Sequence, residues 1–237
     1  MMAPRWAMTL ILSGIAIAAT HFSLAQPPTP GTASVAKAYF AGGCFWCMEE
    51  AFEKVDGVLE VVSGYMGGTV KNPSYEQVSA GQTGHAESVE VRYDPAKVTY
   101  AQLLEAFWRN VDPVTPDAQF CDHGNQYRAA IFFQTEEEKR AAEESKRAIE
   151  QSKRFSTPIV TQLTAASEFY PAEEYHQDFY KKNPIRYKYY KFTCGRAQRL
   201  ERRQAPRLQA PQLPVGAQPL ELAVASQADA PAGAHDR

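Results

Sequence analysis

Aromatic residues delimit the part of this chain that can fold. The 237-residue sequence has 27 Phe, Trp and Tyr residues, and 25 of them lie between residues 36 and 194. Large aromatic side chains bury the apolar area that offsets the entropy of ordering a backbone. A span of about 160 residues suffices for one compact domain. We therefore predict a single folded domain over residues 35–199.

Both ends of the chain have compositions that do not support a core. Residues 1–25 combine one early charge, Arg5, with an apolar run and a Ser-Leu-Ala end, as a secretory signal peptide does. The apolar run is shorter than the roughly 18 residues of a spanning helix, although an uncleaved membrane anchor is an alternative. We expect a Pro-rich linker at residues 26–34 and a disordered Ala-, Pro- and Gln-rich tail at residues 200–237. The pattern predicts an exported protein located in the periplasm.

The charge balance argues against nucleic-acid binding. The formal net charge is −2 and the pI is near 6.2. Proteins that bind nucleic acid by neutralising phosphates are usually strongly basic. We therefore expect no nucleic-acid partner.

Strand and helix patterns alternate within the domain. Residues 86–93 alternate apolar and polar side chains, as in a half-buried strand, and Thr135 with Glu138 forms a capping box that opens a helix. Further strands are predicted at residues 36–40, 57–64, 128–134 and 159–165, and helices at 44–55, 100–111 and 172–181. This mixture predicts an α+β fold, a two-layer sandwich of a mixed sheet with flanking helices and disordered termini.

The chemistry of the chain points to Cys44. This residue follows Gly42-Gly43 and opens a predicted helix, whose free N–H groups favour an anion and are expected to lower the pKa of the thiol. Phe45 and Trp46 follow directly and would shape an apolar pocket beside it.

Two alternatives for the cysteines remain open at this point. The four cysteines, at positions 44, 47, 121 and 194, could form two structural disulfides in an exported protein. The Cys-x-x-Cys pair also suggests zinc with Cys121 and His123, but no second Cys-x-x-Cys completes four ligands. We predict no metal site.

The chain resembles the A-type methionine sulfoxide reductases, the peptide-methionine (S)-S-oxide reductases. Its Gly43-Cys44-Phe45-Trp46 segment matches their active-site signature. Further matches follow in family order at residues 57–58 (GV), 63–68 (SGYMGG), 72–75 (NPSY), 84–87 (GHAE), 94–95 (DP), 122–128 (DHGNQYR) and 169–173 (FYPAE). These segments cover about residues 36–196, so the resemblance extends over the whole predicted domain.

The resemblance implies the α+β fold of that family and reduction of the S-epimer of methionine sulfoxide, free or in proteins. It also implies roles for the matched residues: Cys44 as nucleophile, Phe45 and Trp46 around the substrate methyl group, and Tyr75, Glu87 and Tyr127 around the sulfoxide oxygen, with Asp122 in the same shell. A sulfoxide oxygen leaves only when protonated, and a carboxyl in an apolar pocket keeps its proton near neutral pH. Glu87 would supply that proton, and Cys44 would become a sulfenic acid.

Regeneration of Cys44 needs a second thiol. The Gly-rich, cysteine-containing tail of many family members is absent, which leaves Cys47 and Cys194 as candidates for the resolving cysteine. We favour Cys47 because only two residues separate it from Cys44, so that one helical turn can bring the two thiols together. We interpret Cys121 as a small buried residue. The resemblance implies no cofactor, a thioredoxin-like dithiol electron donor and methionine sulfoxide-containing proteins as substrates; we expect a monomer. A thioredoxin-type disulfide oxidoreductase using Cys44 and Cys47 is the alternative enzyme.

Overall fold

The computed structural model describes residues 34–204. The predicted signal peptide, nearly all of the linker and the tail from residue 205 onward lie outside these described residues. Within residues 34–204, no helix has both the length and the apolar character needed to cross a bilayer.

The domain contains a six-stranded mixed sheet, a two-stranded ribbon and seven α-helices within the described range. The strands are β1 (Ala36–Gly42), β2 (Val58–Met66), β3 (Ala86–Tyr93), β4 (Ala118–Gln119), β5 (Asp122–His123), β6 (Ala129–Phe133), β7 (Gln162–Ala165) and β8 (Tyr170–Pro171). The helices are α1 (Phe45–Glu53), α2 (Tyr75–Ser79), α3 (Tyr100–Asn110), α4 (Glu136–Gln151), α5 (Phe179–Lys182), α6 (Pro184–Cys194) and α7 (Arg196–Gln204).

The order of strands in the large sheet is β7-β6-β1-β3-β2-β8. Only β6 and β7 pair in parallel; the other neighbours are antiparallel, and β4 and β5 form the separate ribbon. This mixed sheet with flanking helices confirms the predicted α+β class.

The main core lies between the sheet and helices α1 and α3. Phe40 of β1 stacks on Phe52 of α1 and on Phe107 of α3, with ring centroids 4.8 and 5.5 Å apart. All three rings are buried, and such contacts add about 0.5–1.5 kcal/mol each beyond the area they bury. The packing fixes α1 against the sheet, and the cysteine pair lies at the start of this helix, with Cys44 as its N-cap.

The central strand β3 differs from its predicted half-buried state. It lies between β1 and β2, and seven of its eight residues are buried. Glu90 lies on one face, where it accepts hydrogen bonds from Tyr39, Lys37 and Arg92, while Glu87 faces α1. The prediction was wrong because alternation does not reveal whether other elements cover the polar face.

The C-terminal quarter departs furthest from the predicted elements. The helix expected at residues 172–181 is divided into a 3₁₀ turn, Glu174–His176, and α5, because Asp178 adopts a left-handed conformation with φ of 54°. Helices α2 and α6 were not predicted. Helix α7 continues to Gln204, so residues 200–204 of the predicted tail are helical.

One disulfide connects the small ribbon to α6. It joins Cys121 to Cys194, with Cα atoms 5.0 Å apart and a sequence separation of 73 residues. Cys121 is exposed, so its interpretation as a small buried residue was wrong. The bond also removes Cys121 from the zinc alternative and leaves Cys44 and Cys47 as free thiols.

We expect this disulfide to stabilise the fold. Closing a loop of this length removes unfolded-state entropy, and typical disulfides contribute about 2–4 kcal/mol. The double variant Cys121→Ser/Cys194→Ser should therefore unfold at a lower urea concentration than the oxidised wild type, with a steeper slope because the unfolded chain is no longer cross-linked. An unchanged unfolding midpoint would show that the bond does not brace the domain.

Candidate active site

One small pocket brings the predicted site residues together. It has a volume of about 130 Å³ and lies where the first turn of α1 meets β3, β5 and α6. Its lining consists of Cys44, Phe45, Trp46, Tyr75, Glu87, Asp122, Tyr127 and Tyr190. Seven of these eight residues are the site residues predicted from the sequence, and Tyr190 is the addition.

A tight turn between β1 and α1 places Cys44 in the pocket. Gly43 has φ of 81°, and a Cβ atom there would lie 2.4 Å from Cβ of Gln119. Only glycine fits this conformation and this close approach. Cys44 is consequently the N-cap of α1, with 5% of its surface exposed.

Glu87 lies beneath the start of α1. The Phe45 backbone N–H donates a hydrogen bond to Glu87 Oε2 at 3.0 Å. Burial raises the pKa of the carboxyl to about 8, and the charges of Asp122 and Cys47 act in the same direction against the Phe45 hydrogen bond. The Glu87 side chain is therefore a protonated acid at neutral pH, in contact with the same turn that carries Cys44.

Two tyrosines provide hydroxyl groups from separate elements. Tyr75 begins α2, where its backbone N–H donates to Glu173 Oε1 at 2.8 Å, and Tyr127 ends a 3₁₀ turn before β6. The pKa of both hydroxyls is raised, mainly by burial. Both groups therefore remain protonated hydrogen-bond donors.

Asp122 is held in the pocket by a residue that the sequence reasoning missed. The Tyr190 hydroxyl donates to Asp122 Oδ2 at 2.6 Å, and burial is the main cause that raises the pKa of Asp122. Tyr190 belongs to the unpredicted helix α6, within the aromatic-rich segment 187–192. That cluster of aromatics was the available signal, but it did not indicate which ring would face Cys44.

The aromatic walls of the pocket are fixed by a second missed residue, His176. Phe45 is buried, and Trp46 is half-buried and stacks on Phe179 with ring centroids 3.8 Å apart. Trp46 Nε1 donates to His176 Nδ1 at 3.2 Å. Burial lowers the pKa of His176, which keeps the imidazole a neutral acceptor for the indole N–H.

Cys44 and Cys47 form a buried, hydrogen-bonded thiol pair. Burial, the hydrogen bond to Cys47 and nearby negative charges raise the pKa of Cys44. The hydrogen bond from Cys44 lowers the pKa of Cys47 to about 7, with help from Arg196, Tyr187 and Lys191 against burial. The expectation of a lowered Cys44 pKa was therefore wrong, because burial and the neighbouring negative groups act against the start of the helix.

A larger cavity of about 510 Å³ lies away from this pocket, between α3 and α4. It is lined by side chains that include Trp108, Ser145 and Phe155, but by no cysteine. We therefore assign the chemistry to the smaller pocket, which holds a thiol beside a protonated acid.

Comparison with known proteins agrees with the pocket. The sequence profile of the peptide methionine sulfoxide reductase family matches residues 36–208. The peptide methionine sulfoxide reductase MsrA of Halalkalibacterium halodurans is 52% identical over 160 residues, which are 68% of this chain and 91% of the relative.

Two further proteins extend the comparison. The MsrA/MsrB protein of Vibrio cholerae is 46% identical over 170 residues, which are 72% of this chain but 45% of that relative. This chain thus spans less than half the length of that relative. The structure of methionine sulfoxide reductase A of Corynebacterium diphtheriae has a TM-score of 0.59 and 32% identity, and the match covers 65% of this chain and 78% of the other.

Proposed function

This chain belongs to the peptide methionine sulfoxide reductase family, and from that premise we propose that its pocket reduces the S-epimer of methionine sulfoxide, free or in proteins. The observation that carries the proposal is the placement of Cys44 in one 130 Å³ pocket with the acid Glu87 and the hydroxyls of Tyr75 and Tyr127. A nucleophilic sulfur, a proton source and two neutral donors are what sulfoxide reduction requires.

The reaction begins with attack of the Cys44 sulfur on the sulfur of the bound sulfoxide. Glu87 donates its proton to the sulfoxide oxygen, while the two tyrosine hydroxyls stabilise the charge that develops there. The sulfur–oxygen bond of the substrate breaks and the hydroxyl passes to Cys44 as the transient bond between the two sulfurs breaks, so that methionine leaves and Cys44 becomes a sulfenic acid. The thiol proton that Cys44 loses in the reaction restores the acid form of Glu87. Cys44 is oxidised by two electrons and the substrate is reduced by two.

The aromatic walls account for recognition of the methyl end of the substrate. Phe45 and Trp46 present apolar rings beside Cys44, and the volume of the pocket is small. A methyl group loses contact with water there, whereas the rest of a polypeptide substrate remains outside. The site therefore suits an exposed methionine sulfoxide in a protein as well as the free amino acid.

We assign resolution of the sulfenic acid to Cys47. Its sulfur is hydrogen-bonded to Cys44, whereas Cys194 is bonded to Cys121. Attack of Cys47 on the Cys44 sulfenic acid forms a disulfide and releases water. A thioredoxin-like dithiol donor then reduces that disulfide by thiol–disulfide exchange.

Peptide mapping after one turnover tests this assignment. Treatment of the reduced pair with one equivalent of methionine sulfoxide should yield a Cys44–Cys47 disulfide, with Cys121–Cys194 unchanged. In Cys47→Ser, Cys44 should instead be trapped by dimedone as a sulfenic acid. A Cys44–Cys194 disulfide in the wild type, with normal donor-driven turnover of Cys47→Ser, would make Cys194 the resolving residue.

An assay with separated epimers tests the activity itself. We expect turnover of blocked methionine-S-sulfoxide with a dithiol donor and none of the R-epimer. Thiol counting by mass spectrometry should show that one equivalent of the S-epimer consumes two thiols. If the protein instead exchanges a disulfide substrate and does not reduce either sulfoxide epimer, it is a thioredoxin-type oxidoreductase.

We further propose that the protein is exported to the periplasm. The support is the signal-like composition of residues 1–25. Fusion of residues 1–34 to a phosphatase that is active only outside the cytoplasm should give an active enzyme. An inactive fusion protein retained in the cytoplasm would contradict export.

A further inference from the structure

Helix α6 presents an apolar stripe to the solvent. Ile185, Tyr189 and Phe192 lie at positions i, i+4 and i+7, so they share one face of the helix. Their exposed fractions are 85%, 70% and 72%, the largest among the big apolar side chains of the described residues. An exposed apolar patch with a polar rim is typical of a surface that contacts a protein or a membrane. We call these three side chains the α6 stripe.

The opposite face of α6 packs against the domain. Tyr187 and Cys194 are buried, and Tyr190 lines the reactive pocket. The α6 stripe lines neither this pocket nor the cavity between α3 and α4. It is therefore a separate surface, and an occupant of the stripe does not fill the pocket.

The charge around the α6 stripe is strongly positive. Residues 179–200 contain seven lysines and arginines and no aspartate or glutamate, a net charge of +7. Because the whole chain has a net charge of −2, the remaining residues together carry −9. Such a concentration of positive charge in one segment of an acidic protein indicates an anionic partner for that segment.

Two of these cations flank the stripe without an ion pair. Arg186 and Lys188 are exposed, and neither forms a salt bridge with another residue in the described part of the chain. By contrast, Lys181, Lys182 and Lys191 are paired with carboxylates of other residues. The helical spacing places Arg186 on one side of the α6 stripe and Lys188 on the other. The stripe thus has available positive charge along both edges.

An anionic lipid surface fits this arrangement better than a folded protein does. A protein interface usually needs a shape-complementary patch of about 800 Å² on each partner. The α6 stripe is instead a ridge of three side chains about 10 Å long. Interfacial helices insert aromatic and aliphatic side chains at the boundary between headgroups and acyl chains, and their lysines and arginines contact the headgroups. A bilayer needs no matching groove to bind such a ridge.

We propose that α6 is a membrane-docking helix, and that its stripe enters the headgroup region of a bilayer containing anionic lipid while Arg186 and Lys188 contact the lipid phosphates. The inference goes beyond the proposed reaction and does not depend on it. Because Tyr190 lies on the other side of the helix, the pocket of a docked molecule remains open to substrate.

Co-sedimentation of the full chain with lipid vesicles tests the proposal. One set of vesicles contains equal parts of phosphatidylglycerol and phosphatidylcholine, and the other contains phosphatidylcholine alone. We expect binding to the anionic vesicles that weakens at high salt, because salt screens the attraction between exposed charges and lipid phosphates. Binding to the neutral vesicles measures the contribution of the apolar residues near the N-terminus, which all variants retain.

Substitutions on α6 separate the effects of charge and apolar contact. Arg186→Gln/Lys188→Gln should lower binding to anionic vesicles by about 10–30-fold, since each cation near such a surface contributes about 1 kcal/mol. Ile185→Ala/Tyr189→Ala/Phe192→Ala should lower it by about tenfold or more through lost apolar contact. All five side chains are exposed, so the fold should be retained.

Helix α4 provides a matched control for the charge. Arg140 and Arg147 are exposed on one face of that helix, and Arg140→Gln/Arg147→Gln changes the net charge by the same amount. We expect this variant to bind anionic vesicles as the wild type does. A loss equal to that of the α6 double variant would mean that only the net charge matters, which contradicts docking through α6.

A tryptophan probe tests where the bilayer makes contact. In Tyr189→Trp, the added fluorescence should be quenched by brominated phosphatidylglycerol, after subtraction of the wild-type signal. Leu59→Trp places the same probe at another exposed apolar position, on β2, and there we expect no quenching.

Three results would overturn the proposal. They are binding of the wild type without preference for anionic lipid, unchanged binding of both α6 variants, and unquenched fluorescence of Tyr189→Trp. If the triple variant does not fold, the double variant and the probe still decide. A raised KM of Arg186→Gln/Lys188→Gln for an acidic methionine sulfoxide peptide, with vesicle binding unchanged, would instead assign the surface to polypeptides. The vesicle measurements need no sulfoxide, so failure of the proposed function would not affect them.

Discussion

Replacement of Cys44 by serine should reduce the rate of sulfoxide reduction to the uncatalysed background, a loss of at least about 10⁴-fold. A serine hydroxyl does not ionise near neutral pH and does not form a stable sulfenic acid equivalent. The substitution keeps the N-cap of α1 and nearly the same volume, so the fold should be retained. The measurement is single-turnover reduction of methionine-S-sulfoxide, with circular dichroism to verify the fold.

Cys47→Ser is the matched control for this prediction, because it changes the same atom in the other half of the pair. It keeps the nucleophile, so each chain should still reduce one equivalent of sulfoxide before turnover stops. Residual steady-state activity in a folded Cys44→Ser protein would remove Cys44 from the role of nucleophile. Loss of even the first equivalent in Cys47→Ser would mean that Cys47 is needed before the resolution step.

Glu87→Gln should lower the single-turnover rate by about 10²–10⁴-fold, the range expected for an acid–base group. Glutamine can still accept the Phe45 hydrogen bond, so the change removes the proton and little else. In the wild type, the rate should decline as the pH rises through about 8, because the acid form of Glu87 is lost there. A glutamine variant with the wild-type rate and pH profile would limit Glu87 to a structural role.

Glu87→Gln should make the folded protein more stable than the wild type at high pH, although it lowers the activity. The pKa of Glu87 is raised by burial from 4.5 to about 8, so the folded state is favoured when the carboxyl is protonated. Wild-type stability should therefore fall as the pH rises from 4.5 towards 8, whereas Glu87→Gln avoids that loss. A higher Tm of the variant at pH 8 to 9 would separate the catalytic effect from unfolding.

Local sequence was sufficient to predict the elements that carry the chemistry. The glycine pair before Cys44 predicted a turn into a helix, and the structure has this turn with Gly43 at positive φ. The pattern at residues 86–93 predicted β3 with its observed ends. These features depend on residues a few positions apart, so they can be inferred without knowledge of the rest of the fold.

Two features of the candidate site were beyond such reasoning. The sequence carried no signal for the pairing of Cys121 with Cys194, which lie 73 residues apart. It also did not place Tyr190 against Asp122, because that contact depends on how α6 packs. Neither contact follows from spacing along the chain.

The protonation states of the site were decided by the tertiary structure alone. The start of a helix predicted a lowered pKa for Cys44, yet burial and neighbouring anions raise it, and the lowered pKa belongs to Cys47. The sequence by itself determined which residue types and which turn the site contains. Folding determined which of them share protons, because burial and the approach of charges such as Arg196 depend on elements that meet only in three dimensions.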